Sequence, residues 1–151
     1  MEEVALYLHL LGAFAFLAGL VLAGAAFESA RRRETAGEVA LLLGLARRGA
    51  LFAVAGAVVL GPFGLWLVHL GAFGYASGWV DASIAAFVVV LLLGAFGGRA
   101  PKRARELAEA APAGGAVDGA LRTMLDDRTA RLANYLALAL VLAIVTLMVF
   151  K

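Results

Sequence analysis

Two histidines, His9 and His69, are the side chains in this sequence best suited to hold a cofactor, and there is no third. Each lies inside a long apolar run, where a titratable group is costly and therefore informative. His9 falls about five residues inside one end of the first run, and His69 about three residues inside the matching end of the second. If the two runs are antiparallel helices, a rise of about 1.5 Å per residue brings both imidazoles to within roughly 5 Å of one depth.

A b-type haem (heme b) is the first chemistry this suggests. Iron accepts two neutral imidazoles on opposite porphyrin faces, and helix bundles supply them from facing helices. On a helical wheel Gly12, Phe16, Gly19 and Ala23 fall within about 80° of His9. The small residues would leave room for a flat macrocycle, and Phe16 would pack on it. Val58, Pro62, Leu65 and Trp66 form the corresponding face around His69. Copper is the neighbouring chemistry, with His9, His69 and Met148 as ligands and Asp81 behind them. The plain alternative needs no cofactor: both histidines sit at an interface and bond to water, headgroups, Asp81 or a neighbouring helix. Asp81 then serves as an anion at a helix N-terminus, Asn134 and Thr146 as interhelical or back-bonding polar groups, and Met124 and Met148 as apolar filling.

Little other chemistry is available. The absence of cysteine removes disulfides, thiolate metal sites and thiol redox steps. There is no His-x-x-x-His pair, no His/Glu cluster, no nucleophile with a base, and no phosphate-binding loop, so the reading leans away from an enzyme. Nothing in the basic segments supports nucleic-acid binding.

The elements that must position these residues follow from apolar content. Of 151 residues 64% are hydrophobic and 16% charged, against about 45–50% and about 25% in soluble domains. A chain this size has too little interior to hide that surplus, so the excess must face lipid. Four runs reach the roughly 20 residues needed to cross a bilayer: 4–27, 50–72, 79–98 and 132–150. Backbone groups in hydrocarbon must be satisfied within the segment, which makes these runs helices. The acidic head Met1-Glu2-Glu3 and the length of the first run mark it as a retained helix rather than a signal peptide. The expected fold is all-α, an up-down-up-down four-helix transmembrane bundle in a single domain, with short cytoplasmic helices.

Charge sets the expected topology. Twelve of the thirteen cations lie in two loops, 28–49 and 99–131. By the positive-inside rule those loops are cytoplasmic, both termini are outside, and the chain is multi-pass in the cell inner (plasma) membrane. Tyr7, Trp66, Tyr75 and Trp79 then mark the outer interface and Tyr135 the inner one. Within the loops, Pro101 to Ala111 reads as a helix with proline in its first turn. Asp118 can cap a second helix with Leu121, Met124 and Leu125 on one face. Glu38 to Arg48, with Val39, Leu42, Leu43 and Leu45, reads as an interfacial helix.

Small residues predict close helix packing. Ala15, Gly19 and Ala23 form one ridge, Ala53, Ala57 and Gly61 a second, and Gly94 and Gly98 a third. Pro62 should bend the second helix, since it cannot bond the Val58 carbonyl.

Several stretches resemble a bacterial family of four-span integral membrane proteins of unknown function, over nearly the whole chain. They are Gly64-Leu65-Trp66-Leu67-Val68, Gly78-Trp79-Val80, Arg103-Ala104-Arg105-Glu106-Leu107-Ala108, and Asn134-Tyr135 leading to Met148-Val149-Phe150-Lys151. The start of the first helix, Leu8-His9-Leu10-Leu11-Gly12, is also similar to CopD-type copper-resistance proteins and HemJ-type protoporphyrinogen oxidases. That second likeness implies haem or copper at His9. The chain lacks the polar and lysine residues expected inside the oxidase helices, which argues against that activity. The function expected is an integral membrane protein that binds b-type haem through His9 and His69 as a redox accessory. The alternatives are a metal-free structural or assembly protein, or a copper-handling one. Its partners are the lipid bilayer and a homo-oligomer or larger membrane complex.

Overall fold

A computed structural model describes residues 1–71 and 77–150. Six helices follow in chain order: α1 (Glu2–Ala30), α2 (Ala36–Leu70), α3 (Gly78–Gly97), α4 (Arg99–Ala110), α5 (Gly119–Leu125) and α6 (Arg128–Val149). By length and composition four spans can cross a membrane, carried by α1, α2, α3 and α6. Large apolar side chains point outward along them, among them Phe14, Val58 and Leu142. In water that surface would be prohibitive; in hydrocarbon it is the solvated face. Tyr75, counted above as an interface residue, lies outside the described residues.

α1 and α2 pack most closely, α3 lies on α6, and the two pairs meet chiefly through α1 and α6. The first pair is joined by a seam of small residues. A Cβ on Gly12 would lie 2.6 Å from the Leu60 amide nitrogen, and one on Gly49 would lie 2.8 Å from that of Ala23. Gly19 meets the Ala53 backbone and Gly56 meets that of Phe16 with equally little room. The seam residues, Gly12, Phe16, Gly19 and Ala23 against Gly49, Ala53, Gly56 and Leu60, are spaced four, three and four on each helix. This is the heptad spacing that keeps one stripe facing an antiparallel partner. It corrects the expected ridges: Gly19, Ala23 and Ala53 belong to the seam, whereas Ala15, Ala57 and Gly61 do not. On α3, Gly94 faces open space, and only Gly97 approaches a neighbouring helix, at the Ala133 Cβ.

α2 is longer than expected. Its 35 residues span about 52 Å at 1.5 Å per residue, well beyond a hydrocarbon core of about 30 Å. The segment read as a separate interfacial helix, Glu38–Arg48, forms the first turns of this same helix. Thr35 caps its start: the Thr35 Oγ1 accepts from the Glu38 amide at 3.4 Å and donates to Glu38 Oε2 at 2.9 Å. Two further amides of its first turn donate to a distant loop, Ala36 to the Gly115 carbonyl at 2.9 Å and Gly37 to that of Ala113 at 3.0 Å. Gly37 must be glycine there, because a Cβ would stand 2.7 Å from the Ala113 oxygen. The helix continues through Pro62 to Leu70.

The protruding part of α2 is covered by a small folded cap on the basic side. Val39 and Leu43 of α2, Ala104 and Ala108 of α4, and Leu121 and Leu125 of α5 share one buried core with Phe27 and Ala30 at the end of α1. Asp118 caps α5, its Oδ1 accepting from the Leu121 amide at 2.7 Å, as the sequence predicts. Asp127 caps α6 in the same way through the Thr129 amide at 2.7 Å.

Candidate functional site

His9 is half-buried on α1, and its Nδ1 donates to the Leu60 carbonyl of α2 at 3.0 Å. A carbonyl only accepts, so Nδ1 carries the hydrogen in this bond. The ring lies against Gly64, where a Cβ would come within 2.8 Å of its Cε1 atom. His9 therefore touches α2 two residues either side of Pro62, which has no amide hydrogen to donate.

His69 is exposed near the end of α2. The structure does not bring the two imidazoles together, and the reason is register. Across the seam, Gly12 with Leu60, Gly19 with Ala53 and Ala23 with Gly49 each have residue numbers summing to 72. That register sets His69 level with the first turn of α1. In the same register His9 is level with Phe63, so His69 lies six residues further along α2, or about 9 Å. The expectation of a common depth took both helices to end at the same membrane plane. The glycine seam sets the register instead.

The remaining residues of the expected haem site fare unevenly. Gly12, Phe16 and Gly19 do share a face with His9, but α2 fills it. Backbones in contact at Gly12, Gly19 and Gly56 leave no slot for a porphyrin between these helices. Trp66 is stacked on Phe63 with ring centroids 5.8 Å apart. Asp81 is exposed in the first turn of α3, and Met148 is half-buried near the end of α6. Among the described residues no three His, Asp or Glu side chains cluster closely enough to hold a metal ion.

The most ordered electrostatics lie on the basic side. Arg31 donates to Glu28 at 2.9 and 3.0 Å and to Asp126 at 2.9 Å, tying the end of α1 to the segment between α5 and α6. The hydrogen bond to Asp126, followed by that to Glu28, outweighs burial and holds the Arg31 guanidinium above its ordinary pKa. Arg122 donates to the Arg31 and Arg33 carbonyls at 2.8 and 3.3 Å. Arg131 Nε stands 3.8 Å from Glu28. These cations fasten the cap.

A cavity of about 520 Å³ opens between the two helix pairs on this same side. Its deep end is closed by Phe16 and Val90. Phe16 meets Phe87 edge-to-face at 5.6 Å, and Phe87 also bridges to Gly61 of α2. Arg47, Lys102 and Arg105 stand among its lining residues toward the basic side, and Asn134 projects from α6 against Gly24. Sequence reasoning missed this site. Lys102 and Arg105, one turn apart on α4, were its one legible signal.

No curated protein and no solved structure matches the chain. The expected likeness to CopD-type and HemJ-type proteins is not shown by these comparisons. Four apolar helices with their large side chains turned outward, and the match of residues 3–151 to a family described as "Predicted integral membrane protein (DUF2269)", lead to one conclusion: this chain is an integral membrane protein and belongs to that family.

Proposed function

We propose that the chain is a structural or assembly component of the cell inner membrane, working without a metal, with its cap in the cytoplasm and both termini outside. The observation that supports it most is the cap. A seven-residue helix, a loop bridged to Thr35 and two buried leucines are organised around Arg31 and Arg122 far from either histidine. Such a rigid, charged platform suits contact with a second copy or a larger membrane complex. Native electrophoresis of solubilised membranes is expected to show the chain above its 15.6 kDa monomer mass. Migration only as a monomer would count against assembly.

A second reading, a redox accessory with b-type haem or copper, has one observation in its favour. A metal-ligating histidine almost always donates its other ring N–H to a carbonyl or carboxylate, and His9 makes that bond to Leu60. The site would then rest on His9 with ligands other than His69. Protein expressed with haem and copper supplied and then purified separates the readings. The structural reading expects no Soret band, no stoichiometric copper, and unchanged spectra for His9→Ala and His69→Ala. A Soret band lost in His9→Ala would establish the redox reading instead.

Orientation is tested separately, and the cysteine-free sequence makes it simple. The charge distribution predicts that an impermeant thiol reagent applied to intact cells labels Glu2→Cys and spares Arg32→Cys. The opposite pattern would invert the topology.

A further inference from the structure

We propose that the cavity between the helix pairs binds a phosphate-headed membrane lipid, with an acyl chain in its apolar depth and the headgroup on Arg47 and Lys102. Four observations converge on this. The first is depth. On α1 the cavity runs from Phe16 to Phe27, about 17 Å of helix, close to one leaflet of a hydrocarbon core about 30 Å thick. The second is volume and lining. The cavity holds about 520 Å³ and is lined mainly by alanine, glycine, leucine and phenylalanine, within the 300–1,000 Å³ or so typical of ligand sites.

The third is charge. Arg105 is neutralised by Glu109, Arg31 by Glu28 and Asp126, and Arg33 by Glu38. Arg47 and Lys102 are exposed and make no ion pair or side-chain hydrogen bond among the described residues. Two cations without a partner at the mouth of an apolar slot match an anionic headgroup. The fourth is polar. The Asn134 amide is half-buried beside the inner-interface residue Tyr135 and has no hydrogen-bond partner among the described residues. A half-buried amide left unpaired is costly, and the ester oxygens below a lipid headgroup are acceptors suited to it. Access needs no opening of the bundle, because α2 and α3 barely pack against each other. The wall at Gly94 is vacant: a Cβ there would meet nothing within 4 Å.

The test is native mass spectrometry of the full chain in detergent, titrated with dioleoylphosphatidylglycerol or dioleoylphosphatidylcholine. The natural chain should retain the phosphatidylglycerol preferentially. Arg47→Gln/Lys102→Gln should weaken that retention about 30-fold, at about fivefold per cation, leaving the two lipids nearly equal. Arg48→Gln/Arg128→Gln removes the same charge outside the cavity and should change it less than about twofold. Gly94→Phe fills the slot and should cut retention of both lipids while helical circular dichroism is kept. Equal binding of both lipids by the natural chain would overturn the proposal. So would equal losses in the two double variants, since that signals a diffuse basic surface. Unimpaired binding by Gly94→Phe, or full displacement by inorganic phosphate, would also overturn it, because the chain would then lie elsewhere.

Discussion

Gly19→Ala should destabilise the protein by about 1–3 kcal/mol, although the change adds a single methyl group. The new Cβ would press on the Ala53 backbone and stand 2.6 Å from the Gly49 carbonyl oxygen. Neither neighbour is a flexible side-chain end, so the helices themselves must separate. Gly56→Ala should behave alike, because its Cβ would meet the Phe16 backbone and lie 2.8 Å from the Gly12 oxygen. Separation also loosens the His9 bond to Leu60, which spans the same two helices. Gly44→Ala is the control. It lies on α2 with nothing within 4 Å of its Cβ, and helix propensity predicts neutrality or a gain of up to about 1 kcal/mol. Unfolding in detergent, followed by circular dichroism, measures all three. If Gly44→Ala cost as much as Gly19→Ala, the seam would not be what joins α1 to α2.

Leu125→Ala should cost about 2–5 kcal/mol, and the loss should be confined to the cap. Leu125 is 0% exposed in a core shared by α1, α2, α4 and α5. α5 has only seven residues, too few to stay helical without tertiary packing. Truncation therefore leaves a cavity and also releases the element that carries it. Hydrogen exchange should rise sharply over residues 113–127, while the α1–α2 seam keeps its protection. Uniform loss of protection across α1 and α2 would show instead that cap and spans unfold as one unit.

These two cores differ in how far the sequence reveals them. The cap's elements were readable because each carries a local signal. Asp118 stands at the N-cap of α5, Pro101 falls in the first turn of α4, and Leu121 and Leu125 lie one turn apart. Thr35-Ala36-Gly37-Glu38 is an equally local cap signal, and it marks where α2 starts. The arginines around it give the same stretch the charge of a loop, which masks that signal. The seam is harder to read. Alanine and glycine are so frequent in these helices that several stripes of small residues compete, and spacing alone does not choose among them. Glycines on both helices at seven-residue intervals, Gly12 and Gly19 with Gly49 and Gly56, were the discriminating pattern.

The sequence alone determined that the chain is an integral membrane protein with four apolar helices long enough to span, and that its cations gather at one end of them. Those properties follow from apolar run length and charge placement, which need no partner to be read. Tertiary structure decided everything that depends on register. It set His9 against Leu60 and Gly64 and left His69 about 9 Å further along α2, because glycine contacts rather than helix ends fix how two antiparallel helices align. It also decided where space is left. Two tight helix pairs that meet loosely enclose a cavity beside Arg47 and Lys102, and a gap between helices has no signature in the residues of any one of them.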